Sequence, residues 1–525
     1  MESLPAIPET LAPRRRAGGV APAPAIALLL FAWYVVIALY RPVSHDEQMY
    51  VAAGSLVGDH VMYKEFAYLQ APYLPYVYSA LFAALPCADW WIAARLTSLA
   101  AGAIAAWCVW RVARTASGST AVGLAALTLF ATHHVILFVL PLARNHLPAL
   151  ACLLAAYVCW LNGLRAGRAT RWHVLGGALS GCAAGLKLTI LPPALALLGC
   201  ACWNPGDRRS VRSSLSASAC WITGFALTLA PAVAIMHRAG WDAALFDNYC
   251  YHQVNARWRS TSNHATSQNF GNRVISTGRF LIGGSGVCAV LALGIGATAR
   301  SRKGTRTYEP EPKRKQILIS TSILLAAALC AALVPTPLQR DYLAAVTPFL
   351  AILAAAWAAR ARFESDRPIR RLLIGLTLLS AIVAAITSVR YVKDAGAATA
   401  ATPWRLRAAA HELAAVFAER GKPDARVATL APIWPLSAGL EIYPELASGP
   451  FLFRVGDEID AEQLRRRAGI SPQRLSELLD ARPPDGVLVG FEGSLEDSLG
   501  RYAEERGYRP FDARFAGGQL YLRDP

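Results

Sequence analysis

The chain has 525 residues, 54% of them hydrophobic and 17% charged, with a mean hydropathy of +0.33. That composition excludes an ordinary soluble domain, in which about a quarter of the residues are charged. The net charge of +17 is held unevenly: residues 1–390 carry 35 Lys and Arg against 15 Asp and Glu, and residues 391–525 carry 17 against 20.

Arg14–Arg16 lead straight into an apolar segment at 21–40 with no convincing cleavage site, the pattern of a retained signal anchor. Further apolar runs follow at 91–110, 119–140, 146–163, 173–187, 188–203, 216–236, 280–298, 316–334, 342–359 and 372–389. Each is near the ~20 residues that cross a bilayer as a helix. The two runs flanking Lys187 are short and read either as two spans or as one broken helix. The expected fold class is a polytopic α-helical membrane protein of about eleven spans over residues 1–390, followed by a tail at 391–525. Arg14–Arg16, Arg111/Arg114, Arg165/Arg168/Arg171, Arg208/Arg209/Arg212, Arg300–Lys315 and Arg360–Arg371 fall in alternate loops. Under the positive-inside rule this puts the N-terminus in the cytoplasm. The basic charge is thereby explained, and no nucleic-acid partner is expected. An odd number of spans places the first loop (41–90) and the tail together on the external side.

The first loop sets carboxylates beside aromatics: Asp46, Glu47, Asp59, Glu65 and Asp89 lie in it or at its margin. Ser44-His45-Asp46-Glu47 has capping-box spacing, with Ser44 as N-cap and Glu47 reaching back to its amide. A helix from about His45 to Val57 follows, with Tyr50, Ala53, Gly54 and Val57 on one stripe, so it is expected to lie along the interface. Capping alone explains Glu47. Asp46 is favoured by the helix dipole but not needed for the cap, which marks it as the functional acid of the pair. Gly58-Asp59 ends this helix, Pro72 starts another over Tyr73–Ala84, and Tyr73, Tyr76 and Tyr78 read as an interfacial aromatic belt.

Lys187 is a lone ammonium in an apolar stretch, which marks a functional cation, although a snorkelling lysine has the same signature. The loop 247–273 is polar and aromatic; Tyr251, His252, Trp258 and Arg259 are candidates to bind sugar or acceptor, beside the plain alternative of a solvated loop. His45 and His252 lack ligand spacing, so no metal is expected, and no cofactor either. The tail reads as an α/β domain. A helix at Trp404–Arg420 stops at Gly421 with Pro423 beyond. Strands at Val427–Leu430, Gly486–Gly490 and Gln519–Leu522 are separated by helical stretches at Asp460–Arg467, Ser471–Leu479 and Ser494–Arg506. Most of the eleven cysteines lie in apolar spans and the tail has none, so it is no disulfide scaffold. No P-loop, GxGxxG after a strand, CxxC or HExxH occurs, and chemistry must come from scattered side chains.

Asp46-Glu47-x-x-Tyr50, then Gly58, Tyr63-x-Glu65-Phe66 and Gln70-x-Pro72, resembles the first external loop of the GT-C glycosyltransferases. Within them it is most similar to the branch of protein O-mannosyltransferases and aminoarabinose transferases. Gly-Leu-Lys187-Leu-Thr, the loop Pro335–Tyr342 with Pro348, and the tail's Val427-Ala-Thr-Leu and Gly449-Pro450-Phe451 resemble that family too. The resemblance implies a multi-pass enzyme of the bacterial inner membrane. It would move a sugar from a polyprenyl-phosphate donor, with inversion, to a lipid, glycan or protein acceptor on the external face. The family's acidic pair falls on Asp46 and Glu47, with Asp46 at the position of the catalytic base. Lys187, Arg340 and Arg144 are expected at the donor phosphate, and Tyr50, Tyr63, Gln70 and His252 at the substrate. Aminoarabinose-transferring members carry Lys where this chain has Gln70, a departure that argues against that donor. The next external loop offers His133, His134, Arg144, Asn145 and His146 but no second carboxylate. Two other classes stay open: a transporter or lipid flippase using a broken helix at Lys187, and a non-catalytic scaffold whose tail binds a partner.

Overall fold

The computed structural model describes residues 22–85, 90–164, 169–202, 211–261, 269–298, 312–360, 367–395, 402–515 and 517–524. Arg14–Arg16, Cys87, Asp89, Arg165, Arg168, Arg208, Arg209 and the run 300–311 lie outside them.

Inside an apolar solvent every backbone N–H and C=O must bond within its own segment, so the apolar runs fold as helices. Helix α1 (Pro22–Tyr40) turns by 89° into α2 (His45–Leu56), and α3 (Tyr73–Ala84) completes the first loop. There follow α4 (Trp90–Ser117), α5 (Thr120–Ala131), α6 (His134–Val139), α7 (His146–Gly163), α8 (Ala169–Leu186), α9 (Leu191–Cys202) and α10 (Val211–Ala239). Short α11 (Trp241–Leu245) joins α12 (Tyr251–Thr261) through one π-helical turn. Then come α13 (Phe270–Ile282) and α14 (Gly286–Thr298), α15 (Pro312–Leu333), a 3₁₀ turn at Arg340–Ala345, α16 (Thr347–Arg360) and α17 (Arg367–Ala395). Among the described residues six helices are each long and apolar enough to cross a membrane, or up to eight if each bent pair is one span. Every one of the eleven apolar runs falls on a helix, but several are bent or short. The run 119–140 breaks at Thr132-His133, where the His133 ring caps α6 by accepting the Val135 N–H. The pair flanking Lys187 is two helices, with Lys187 itself in extended backbone (φ −157°, ψ 117°).

Small residues let the helices meet closely, as they do where lipid supplies no hydrophobic drive for association. A Cβ on Gly177 would lie 1.9 Å from the Trp221 carbonyl oxygen, and one on Gly224 would lie 2.1 Å from that of Val174. Helices α8 and α10 therefore touch backbone to backbone.

The first loop is more deeply buried than expected. Helix α2 is buried from Glu47 to Gly54 rather than lying half-exposed at the interface. Gly54 packs against Tyr78 and Phe82 of α3, so Tyr78 belongs to the core and not to an aromatic belt.

Beyond residue 402, α18 (Pro403–Glu419) precedes a five-stranded sheet of order β2-β1-β3-β5-β4. Its strands are β1 (Arg426–Ala428), β2 (Glu441–Ile442), β3 (Gly486–Val489), β4 (Arg509–Phe515) and β5 (Gly518–Leu522). Strands β1, β2 and β3 pair in parallel, and β5 runs antiparallel to β3 and β4. The connections carry α19 (Ile433–Ser437), α20 (Pro450–Phe453), α21 (Ala461–Arg465), α22 (Leu475–Ala481) and α23 (Asp497–Glu505). Strands β2 and β4 escaped the sequence: one is two residues long, and the other, RPFDARF, mixes charge and Pro at the sheet edge. Helix α19 packs on α2 and α4, and so sets the tail over the first loop.

Candidate active site

A cavity of about 500 Å³ lies where the first loop, the segments preceding α7 and α16, α12 and the tail converge. A larger groove of about 740 Å³ runs between α1, α4 and α5, but among the described residues Arg114 is the one charged side chain in its wall. Chemistry that needs acid and base side chains belongs to the smaller cavity.

Asp46 sits on the first turn of α2 with its side chain 33% exposed, 3.0 Å from Arg144 Nη1. Its neighbour Glu47 turns the other way, because successive helical residues point about 100° apart. Both Glu47 oxygens are used: Oε1 accepts from Arg95 Nε at 2.8 Å and from the Ala143 amide at 2.8 Å, and Oε2 accepts from Arg95 Nη2 and the Ser44 amide, each at 2.9 Å. Arg95, inside α4, also donates to the carbonyls of Ala38 and Arg41. Glu47 does not line the cavity. Its place as a catalytic candidate is corrected: it closes the capping box and pins α1, α2, α4 and the segment before α7 together, holding Asp46 in position. The sequence signal for its partner was a lone Arg in the run 91–110, a costly residue that needs an acid.

Arg144 carries a second acid. Asp341 Oδ2 lies 3.2 Å from Arg144 Nη1 and 3.4 Å from His146 Nε2, while its Oδ1 is buried without a hydrogen-bond partner. A second carboxylate thus reaches the cavity from the 335–342 loop. Arg340, expected to face the phosphate from that same loop, instead stacks on Phe138 with its guanidinium 3.7 Å from the ring centroid and lies outside the cavity wall. The two side chains are adjacent in a 3₁₀ turn and diverge by about 120°, so Asp341 enters as Arg340 leaves.

Lys187 lines the cavity floor and is 4% exposed. Its Nζ is 3.3 Å from Asn145 Oδ1 and 5.5 Å from the centroid of Tyr342. Asn145 organises this floor. Its Oδ1 also accepts from Tyr50 Oη at 3.1 Å, and its Nδ2 donates to Gln70 Oε1 at 3.2 Å and the Leu186 carbonyl at 3.1 Å. Tyr50 and Gln70 accordingly stand in the wall. Tyr63 does not. It is fully buried at φ 68°, its amide bonded to the Phe66 carbonyl and its hydroxyl to that of Gln70. Tyr63 fastens the loop and presents Gln70; as a substrate contact it is corrected.

His252 of α12 lines the cavity. Burial, reinforced by Lys187, pushes its imidazole down to about 4, so it faces the site neutral. Asp247 on the π turn anchors α12, its Oδ2 accepting from the Tyr68 amide at 2.9 Å. The tail supplies a wall the sequence did not reveal: Pro450, Phe451, Arg454, Phe491, Glu492 and Leu495. Glu492 Oε1 is 2.7 Å from His45 Nδ1. The turn that carries Glu492 is held by Glu496, which accepts the amides of Gly490, Phe491 and Glu492.

Residues 69–235 match the family model of dolichyl-phosphate-mannose-protein mannosyltransferase. No curated protein matches the chain in sequence. Among solved structures it is similar to ArnT from Cupriavidus metallidurans bound to undecaprenyl phosphate, at TM-score 0.61 and 13% identity over 96% of this chain and 97% of that one. The apo state of the same protein gives TM-score 0.61 at 14% identity, again over 96% and 97%. The Archaeoglobus fulgidus oligosaccharyltransferase gives 0.50 at 11% identity, over 89% of this chain and 69% of that one. The chain has the fold of the GT-C membrane glycosyltransferases.

Proposed function

We infer that the protein is an inverting glycosyltransferase that moves a sugar from a polyprenyl phosphate to an acceptor hydroxyl on the extracytoplasmic face. The observation that carries this reading is one cavity holding an accessible carboxylate, Asp46, together with a buried ammonium, Lys187. The donor implied by this reading carries its phosphate on an isoprenoid chain. The lipid named with the bound ArnT structure is of the same class.

The chemistry follows from the parts. The Asp46 carboxylate takes the acceptor hydroxyl proton as the oxygen attacks the anomeric carbon. The bond from that carbon to the phosphate oxygen breaks, and the polyprenyl phosphate departs with the electron pair. A single displacement inverts the centre. Lys187 receives the charge that grows on the phosphate, in a site where little water screens it. Arg144, shared between Asp46 and Asp341, orients both acids; its charge is already engaged, which leaves Lys187 as the main phosphate cation. Tyr50, Gln70 and neutral His252 are the hydrogen-bonding groups for the sugar.

The first loop and the tail wall the same cavity, which supports placing both outside with the N-terminus in the cytoplasm, and dividing the chain at residues 1–390 and 391–525. The helix break needed by a transporter is present at Lys187, but Lys187 faces the cavity with Asp46, and no observation favours transport. The test is mass spectrometry of cell-envelope glycans with and without the protein. Loss of one sugar from one acceptor is expected; unchanged glycans would contradict the reading.

A further inference from the structure

The cavity holds more cationic surface than one lipid phosphate engages. Among the described residues its ion pairs are Asp46 and Asp341 with Arg144, Asp341 with His146, and His45 with Glu492. Arg259 of α12 and Arg454, which follows α20 in the tail, also line the wall. Among the described residues neither has a carboxylate in ion-pair range, and the Nε of each is buried without a hydrogen-bond partner. Burial first, and then the positive charge of Arg454, disfavour the charge on Arg259. Like charges brought together on a cavity wall lower the cost of binding an anion there.

The geometry is prepared for such a ligand. Arg454 Nη2 donates to Asn255 Oδ1 at 2.8 Å and meets Tyr251 Oη at 3.4 Å. Its guanidinium lies 5.4 Å from the Trp258 centroid and 5.1 Å from that of Phe451. The fork is therefore fixed before any ligand arrives, which limits the entropy lost on binding. Two planar forks suit the paired oxygens of a phosphoryl or carboxylate group better than ammonium groups do. The donor phosphate already has Lys187. Asp46 acts electrostatically on both Lys187 and Arg259, and a base that deprotonates the acceptor must stand within reach of donor and acceptor together.

We propose that Arg259 and Arg454 form an anion subsite for the acceptor, so that the attacking hydroxyl belongs to a molecule carrying a phosphate or carboxylate near it, and not to a neutral peptide or neutral glycan. The proposal rests on the glycosyltransferase reading and adds the class of acceptor. The tail then takes part in substrate choice, because Arg454 reaches the cavity only when the tail is seated.

The experiment uses the full-length protein in nanodiscs, saturated with undecaprenyl phosphate, titrated with glucose 6-phosphate, glucuronate and glucose and followed by calorimetry. Glucose 6-phosphate, glucuronate or both are expected to bind, with glucose at least tenfold weaker. Arg259→Gln is expected to weaken the anionic sugar about ten- to a hundredfold while undecaprenyl phosphate binds as before. Arg454→Lys, which keeps the charge but not the fork, is expected to give a smaller loss in the same direction. Four results overturn the proposal: glucose binding equally well, no probe binding, the anionic sugars displacing undecaprenyl phosphate, or Arg259→Gln weakening undecaprenyl phosphate instead. Failure of the wild type to bind undecaprenyl phosphate at all is a different result, and it removes the glycosyltransferase reading itself.

Discussion

Asp46 and Glu47 are neighbours with opposite fates. The capping box predicted the division, since an acid at the third helical position is bound to the cap while one at the second is free to face elsewhere. The structure goes further for Glu47, whose carboxylate is 2% exposed against an Arg95 side chain 3% exposed. Removing one member of a buried pair leaves the other uncompensated, which costs about 3–5 kcal/mol. Glu47→Gln is therefore expected to lower the thermal unfolding midpoint in detergent well below that of the wild type, and Asp46→Asn to leave it nearly unchanged. Equal midpoints for the two variants would contradict the division of roles. Asp46 and Lys187 stood out in the sequence as charged residues in settings where charge needs a reason, whereas Tyr50 and Gln70 came from the family resemblance and His252 from a polar, aromatic loop; all five line the cavity. Arg340 was misplaced and Asp341 overlooked for one cause: spacing along the chain does not say which of two adjacent side chains in a turn faces inward.

At the scale of elements, hydropathy located the helices well and their breaks badly. The run 119–140 looks continuous because Thr132, His133 and His134 are a short polar interruption in an apolar stretch, yet a histidine ring that caps the next helix is enough to end α5. Burial of α2 was likewise invisible, because its cover comes from α3 and α19, one of them in the distant tail. The glycines of α8 and α10 carry a clearer consequence. Gly224→Ala puts a methyl group 2.1 Å from the Val174 carbonyl oxygen, which a backbone cannot yield without moving the helix. Overpacking of this kind costs about 1–3 kcal/mol, and Gly224→Ala is expected to lower the unfolding midpoint. Gly375→Ala, on α17 with open space around it, serves as the control that does not. Similar midpoints for both would show that α8 and α10 are not packed backbone to backbone.

At the scale of the molecule, the active cavity is a joint between two parts of one chain. Its membrane half was readable in outline; its tail half was not, because Arg454 and Glu492 come together with Asp46 only through folding across some 400 residues. The His45–Glu492 contact makes that joint sensitive to pH. Hydrogen bonding to Glu492 raises the His45 imidazole above its ordinary value. The pair therefore stabilises the seated tail fully below the ordinary histidine range near pH 6.5, and the contribution fades as pH rises through the raised value. Amide exchange at residues 491–495 is expected to quicken more steeply from pH 6 to 8 in the wild type than in His45→Gln, after correction for intrinsic exchange; parallel profiles would show that the contact does not hold the tail. We propose that Asp46 is the base of a sugar transfer from polyprenyl phosphate. It is tested most directly by single-turnover release of undecaprenyl phosphate from an undecaprenyl-phosphate sugar, with acceptor extract and purified protein. A positioned general base contributes about 10²- to 10⁴-fold, so Asp46→Asn should slow release by that factor while binding undecaprenyl phosphate as tightly as the wild type. Release by Asp46→Asn at the wild-type rate would contradict the account.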